Sequence, residues 1–216
     1  MPIAVLLLPA AVLLVSLLHF RKRESLRGVL LTKSALSALF VLAALAGPHG
    51  NPRYFALVLA GLLFCMAGDV FLVSASRRLF LAGLFAFLTG HVLYSAAFFT
   101  MASPGPVTGV AAAVCLLSGG AFFLWIRPYL GKMALPVAAY IAVITVMVTG
   151  AATLAGERGL PVGGRVLALA GALLFYLSDV FVARQRFVKP EFLNRLIGLP
   201  LYYTGQFLIA FSTLLL

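Results

Sequence analysis

The chain contains five acidic residues, Glu24, Asp69, Glu157, Asp179 and Glu191. Three lie among basic and turn-forming residues, whereas Asp69 and Asp179 lie inside long apolar runs. An ionisable side chain in an apolar segment is costly to bury and is a functional candidate by default. The surroundings of the two match: Leu63-Phe64-Cys65-Met66-Ala67-Gly68-Asp69-Val70-Phe71-Leu72 and Leu174-Phe175-Tyr176-Leu177-Ser178-Asp179-Val180-Phe181-Val182. Each has Leu-Phe, a small residue before the Asp, then Val-Phe and an aliphatic residue. Two carboxyl groups sharing a poorly solvated site do not ionise together, so one can hold a proton while the other stays an anion. Such a pair suits acid–base chemistry and would titrate as a unit. Paired intramembrane acids also suit proton-coupled transport.

Other polar side chains fall at comparable depth. Lys33 lies early in the second apolar segment with Ser37 one turn further, and is expected near the membrane surface. His91 shares one face of the fourth segment with Gly83, Phe87, Gly90, Tyr94 and Phe98. Tyr140 lies about two turns into the sixth segment, and Tyr202, Tyr203 and Gln206 lie two to three turns into the eighth. A polar cavity opening toward one leaflet would satisfy all of them together. The three histidines lack metal-ligand spacing, and Cys65 and Cys115 both sit in apolar runs, so neither a metal site nor a disulfide framework is expected. No cofactor is implied.

The elements that must position these groups are membrane helices. Of the 216 residues 63% are hydrophobic and 10% charged, and the mean hydropathy is +1.14. A soluble domain carries about 25% charged residues, so the exterior is expected to face lipid. There, backbone groups are satisfied within each segment and apolar runs become helices. Eight segments are long enough to span: Pro2–Leu18, Val29–Gly47, Tyr54–Val73, Leu79–Met101, Pro106–Ile126, Ala134–Leu154, Arg165–Ala183 and Leu196–Leu216. The connections are short, so residues 1–216 are read as one all-α bundle. The first segment lacks a preceding basic residue and is followed by a basic cluster, as expected of a retained helix and not a cleaved signal. The matched Asp motifs are four helices apart, which suggests a parallel repeat of four helices plus four.

Twelve of the sixteen basic residues fall in odd-numbered connections: Arg21, Lys22, Arg23, Arg27, Arg77, Arg78, Arg127, Lys132, Arg184, Arg186, Lys189 and Arg195. The positive-inside rule places those connections in the cytoplasm and both termini outside. The net charge of +11 then faces anionic headgroups. Nucleic acid is not an expected partner. A multi-pass protein of the plasma membrane, in a bacterium the inner membrane, is expected.

Taken with their order along the chain, Gly68-Asp69 with Leu72, His91 with Tyr94, Ser178-Asp179, and Tyr202-Tyr203 through Gln206 resemble the YhhN family of membrane proteins, which includes animal lysoplasmalogenases. Lys33 early in the second helix also fits; Ser34 follows it where family members often have proline. The resemblance implies hydrolysis of the vinyl ether bond of a lysoplasmalogen within the membrane, giving a fatty aldehyde and glycerophosphocholine or glycerophosphoethanolamine. On that reading Asp69 and Asp179 are the catalytic pair, and His91 orients water or shuttles a proton. Lys33 binds the substrate phosphate, and Tyr94, Tyr140, Tyr202, Tyr203 and Gln206 line the site. A proton-coupled transporter or channel would use the same acids. An intramembrane aspartyl protease is a weaker fit, since Met66 and Ser178 stand where such proteases place the first glycine of a Gly-x-Gly-Asp motif and a tyrosine.

Overall fold

A computed structural model describes residues 4–74 and 76–216. Eight helices follow in chain order: α1 (Ala4–Lys22), α2 (Leu26–Ala44), α3 (Pro52–Phe71), α4 (Arg77–Met101), α5 (Pro106–Ile126), α6 (Ala134–Gly156), α7 (Val162–Ala183) and α8 (Phe192–Ser212). Among the described residues there is no strand. All eight expected segments are present, displaced at their ends by a few residues; Pro2, the expected start of the first, lies outside the described residues. The displacement has a simple cause. Hydropathy locates the part of a helix that meets lipid, whereas Arg21, Lys22, Arg27, Arg77 and Arg195 continue the helices into the polar interface.

Local chemistry sets several ends. Asn51 precedes Pro52, and its side-chain oxygen accepts from the backbone N–H groups of Arg53 and Tyr54, both at 3.0 Å. This caps donors that lack intrahelical partners, and proline at the first position costs no hydrogen bond. Gly131, at φ 50°, permits the left-handed turn between α5 and α6. A π-helical turn, Arg184–Val188, extends α7 before α8 begins.

The outside of the bundle is apolar. Leu8, Leu31, Leu117 and Leu135 are each more than 70% exposed, and similar residues lie on the outer faces of most of the helices. A water-facing surface does not carry such a belt, so the chain is an integral, multi-pass membrane protein. Among the described residues, seven helices are long and apolar enough to cross a bilayer. The exception is α8, whose composition is diluted by Asn194, Arg195, Tyr202, Tyr203 and Gln206. Most of these are buried within the bundle, where lipid never meets them.

The expected four-plus-four repeat is visible in the packing. The neighbours α1/α2, α2/α3, α3/α4 and α4/α6 recur, four helices on, as α5/α6, α6/α7, α7/α8 and α8/α2. In both halves the pair carrying the Asp is clamped through glycines. Gly61 on α3 faces Gly90 on α4, and Gly171 on α7 faces Gly205 on α8. A methyl group on Gly171 would lie 2.7 Å from the Gly205 carbonyl oxygen, and one on Gly205 would lie 2.8 Å from that of Gly171. Backbones in such contact tolerate no side chain, and close packing is what holds helices together in lipid.

Gly171→Ala and Gly205→Ala should each destabilise the folded protein by about 1–3 kcal/mol through overpacking. Gly120, which faces open space, should accept alanine without loss. Unfolding midpoints in detergent check this, and equal behaviour of the three variants would refute the clamp.

Candidate active site

Asp69 lies in the last turn of α3, where α2 and α8 converge on it. Its Oδ1 is 2.8 Å from Lys33 Nζ. Its Oδ2 accepts from Ser37 Oγ at 2.6 Å and from the Tyr202 hydroxyl at 2.7 Å. Lys33 Nζ also donates to the Asp69 carbonyl oxygen at 3.2 Å. Both partners are buried, Lys33 5% and Asp69 1% exposed. A carboxyl group that meets three donors acts purely as an acceptor, which is the ionised form. Behind it a second layer fixes Tyr202: the Tyr94 hydroxyl donates to Gln206 Oε1 at 2.8 Å, and Gln206 Nε2 donates to the Tyr202 oxygen at 3.2 Å.

Asp179 occupies the equivalent place on α7 with different partners. Its Oδ2 accepts from the Tyr140 hydroxyl at 2.8 Å and lies 4.0 Å from His91 Nε2. His91 Nδ1 is 2.5 Å from the Phe87 carbonyl oxygen, so that nitrogen carries the proton and donates it. Nε2 then faces Asp179 as a free acceptor, and it has no hydrogen-bond partner among the described residues. No cation of α6 or α7 pairs with Asp179. The asymmetry between the acids thus comes from their partners. Mutual repulsion, the expected source, is weakened because Lys33 already compensates Asp69.

The two acids line one cavity of about 550 Å³, together with Lys33, Tyr140, Phe87 and Tyr202. Its size suits a small-molecule or lipid-headgroup site. Aromatic rings pack edge to face among the partners of the two acids: Phe175 lies 4.6 Å from His91 and 5.1 Å from Tyr202, and Phe87 lies 5.8 Å from Tyr202, centroid to centroid. All the polar lining sits at one end of the bundle, formed by the ends of α1, α3 and α7 and the starts of α2, α6 and α8. The rim is tied by Arg184, which donates to Asn194 Oδ1 at 2.7 Å and Glu191 Oε2 at 2.8 Å. Lys189 lies 2.5 Å from the other Glu191 oxygen. Hydrogen bonding from Lys189 holds the half-buried Glu191 carboxyl below its usual range.

The residues read from the sequence therefore divide. Asp69, Asp179, Lys33, Tyr140 and Tyr202 reach the cavity. His91 stands directly behind Asp179. Tyr94 and Gln206 do not line the cavity; they orient Tyr202. Tyr203 is buried against Tyr202 and Phe40, ring centroids 4.8 and 6.4 Å away, as packing. Lys33 does not extend to the membrane surface, because its ammonium is engaged by Asp69. Ser37 is a further partner of Asp69, and its one-turn spacing from Lys33 is the sequence signal that points to it. Arg21 and Arg195 also line the cavity; in the sequence they belong to interfacial basic clusters and look like topology signals.

The fold and the site define a helical membrane protein in which two unlike carboxyl groups address one enclosed space. The chain belongs to the YhhN family, whose profile matches residues 28–213. It is 33% identical over 159 residues to bovine lysoplasmalogenase TMEM86A, covering 72% of this chain and 64% of the relative. It is 36% identical over 160 residues to human lysoplasmalogenase TMEM86B, covering 73% and 63%. A lysoplasmalogenase of Mycobacterium tuberculosis is 31% identical over 179 residues, covering 80% and 64%. The chain thus spans just under two thirds of the length of these relatives. No solved structure matches it.

Lys33→Met would leave Asp69 buried without its counter-ion, a change that costs about 3–5 kcal/mol. The double variant Lys33→Met/Asp69→Asn should recover most of that loss. Unfolding of both variants in detergent tests the pairing; equal loss in the single and the double would contradict it.

Proposed function

We propose that the protein is a membrane hydrolase that cleaves the vinyl ether bond of lysoplasmalogens. The observation that carries this reading is the pairing, across one cavity, of a saturated, ion-paired Asp69 with an Asp179 that faces a free imidazole nitrogen. The names of the relatives point to the same substrate class. Vinyl ethers resist base and hydrolyse through acid, so the reaction needs a proton donor, a polar surround for an oxocarbenium ion, and a positioned water.

Asp179 is the proton carrier. In its protonated form it delivers H⁺ to the outer alkene carbon, and the alkene π electrons form the new C–H bond. The positive charge is then shared between the inner carbon and the ether oxygen. The Phe87 and Tyr202 rings offer π faces to that cation, and the Asp69 carboxylate supplies the nearby negative field. Water adds to the inner carbon, and its proton passes to the Asp179 carboxylate, with His91 Nε2 accepting or orienting it. The resulting hemiacetal collapses: the C–O bond to glycerol breaks as the glycerol oxygen takes a proton from Asp179, the hemiacetal hydroxyl returns its proton to Asp179, and a fatty aldehyde departs. Tyr140 aims Asp179, and Ser37, Lys33 and Tyr202 hold Asp69. This two-carboxyl logic parallels that of glycosidases, which pass through a similar cation. The apolar bundle receives the alkenyl chain, and glycerophosphocholine or glycerophosphoethanolamine is the second product. The excess of basic residues at the cavity end orients that end, and so the site, toward the cytoplasm, with both termini outside. The inner membrane of a bacterium is the expected location.

Purified protein in detergent should release aldehyde from a lysoplasmalogen. Asp179→Asn should lower the rate by about 10²–10⁴-fold, the usual contribution of a general acid, and Asp69→Asn should lower it by a comparable amount. In D₂O the aldehyde should carry one deuterium on the carbon next to the carbonyl, the mark of proton transfer to the outer alkene carbon. A folded protein that releases no aldehyde from either headgroup class would sink the proposal. So would an unlabelled aldehyde or a fully active Asp179→Asn.

A further inference from the structure

Four cations line the cavity: Arg21, Lys33, Arg186 and Arg195. Two are accounted for. Lys33 is held by Asp69, and the Arg186 guanidinium lies over the Phe80 ring, 4.5 Å from its centroid. Arg21, in the last turn of α1, and Arg195, in the first turn of α8, form no ion pair or side-chain hydrogen bond among the described residues. Both are partly buried. They lie within electrostatic range of each other and of Lys33, and Asp69, whose charge Lys33 already offsets, also acts on Arg21 from a distance. Glu24 acts on Arg195 only at longer range and is itself exposed.

Guanidinium groups brought together in a partly desolvated pocket repel each other unless an anion lies between them. The position of Arg195 sharpens the point. The first turn of a helix disfavours a cation and favours an anion, since free N–H groups and the positive end of the dipole face outward there. The planar donor forks of arginine fit phosphate oxygens in pairs. Arg195 also shares the inner face of α8 with Leu199 and Tyr202, all on the cavity wall. From Arg195 to Tyr202 is two turns, ~10 Å along the axis. In a lysophospholipid only five bonds separate phosphorus from the sn-1 ether oxygen, ~6 Å when extended. An arginine reaching inward spans the remainder.

We propose that Arg21 and Arg195 bind the phosphodiester of the lysophospholipid and so place its sn-1 oxygen beside Asp69 and Asp179. Phosphate recognition thereby falls to these two arginines, and Lys33 serves the catalytic carboxylate. The identity of the occupant rests on the lysophospholipid reading given above, while the anion site itself does not.

The test separates the two by measuring binding without turnover. A 1-O-alkyl-glycero-3-phosphocholine has a saturated ether that the proposed chemistry cannot cleave, and the corresponding 1-O-alkylglycerol lacks phosphate. Arg21→Gln and Arg195→Gln should each weaken the phosphocholine probe by about 10- to 100-fold, the value of one charge-assisted contact. Binding of the alkylglycerol should not change, and Arg195→Lys should restore part of the loss. Inorganic phosphate should displace the phosphocholine probe from the wild type. Equal weakening of both probes would mark a structural role and overturn the proposal. So would unchanged binding of the phosphocholine probe, or inorganic phosphate that stabilises the protein without displacing it, which marks a free-anion site elsewhere. An Arg-dependent probe paired with absent aldehyde release would retire the vinyl ether reading and keep the phosphate site.

Discussion

An ionised carboxylate has no place in the interior of a membrane protein without compensation, and here the Lys33–Asp69 pair provides it. The pair is not a source of stability in itself, since removing both charges from water costs about as much as their attraction returns. Its effect is to dictate geometry. Lys33 must enter from α2, Tyr202 must arrive from α8, and both must meet the last turn of α3. Ser37, one turn from Lys33, and Gln206, one turn from Tyr202, then complete the arrangement on the same helix faces. Two consecutive helices and the distant α8 are thereby fixed in register around a single carboxyl group.

The second half of the chain builds the same seat with other occupants. Gly61 and Gly171 each lie eight residues before an Asp. Gly83, Phe87, Gly90 and His91 on α4 answer Gly198, Tyr202, Gly205 and Gln206 on α8 at the same spacing. Lys33 on α2 contacts Asp69, and Tyr140 on α6 contacts Asp179. The glycines conserve the backbone contact in both halves, and the side chains around the acids diverge. Two equivalent positions have become one anion saturated with donors and one carboxyl group with a single donor and an imidazole.

Much of this was legible in the sequence. The eight helices followed from hydropathy, because lipid imposes one rule on every segment. The two acids stood out because so few charges occur in apolar runs, and their matching flanks disclosed the repeat. The partners of those acids were harder to read. Lys33 looked like a surface-reaching side chain because its position, early in α2, is where lysines reach the interface; only the arrival of α3 beside it changes its role. Tyr94, Tyr203 and Gln206 share a depth with the site, and depth does not reveal which side of a helix faces the cavity and which faces a neighbour. Arg21 and Arg195 lay hidden among residues whose distribution is explained by membrane topology. Helix faces and depths are local properties, whereas the cavity wall is set by which helices meet.

The broken symmetry of the two seats gives the cavity a polarity. A pocket with identical carboxyl groups related by a twofold would accept an elongated guest equally well in two opposed poses. With Lys33 compensating the carboxylate at one seat and Tyr140 donating to the other, the two poses meet different surroundings. The nearly symmetric ground plan thus carries two acids that are not interchangeable, and such a pocket can tell one end of an elongated guest from the other.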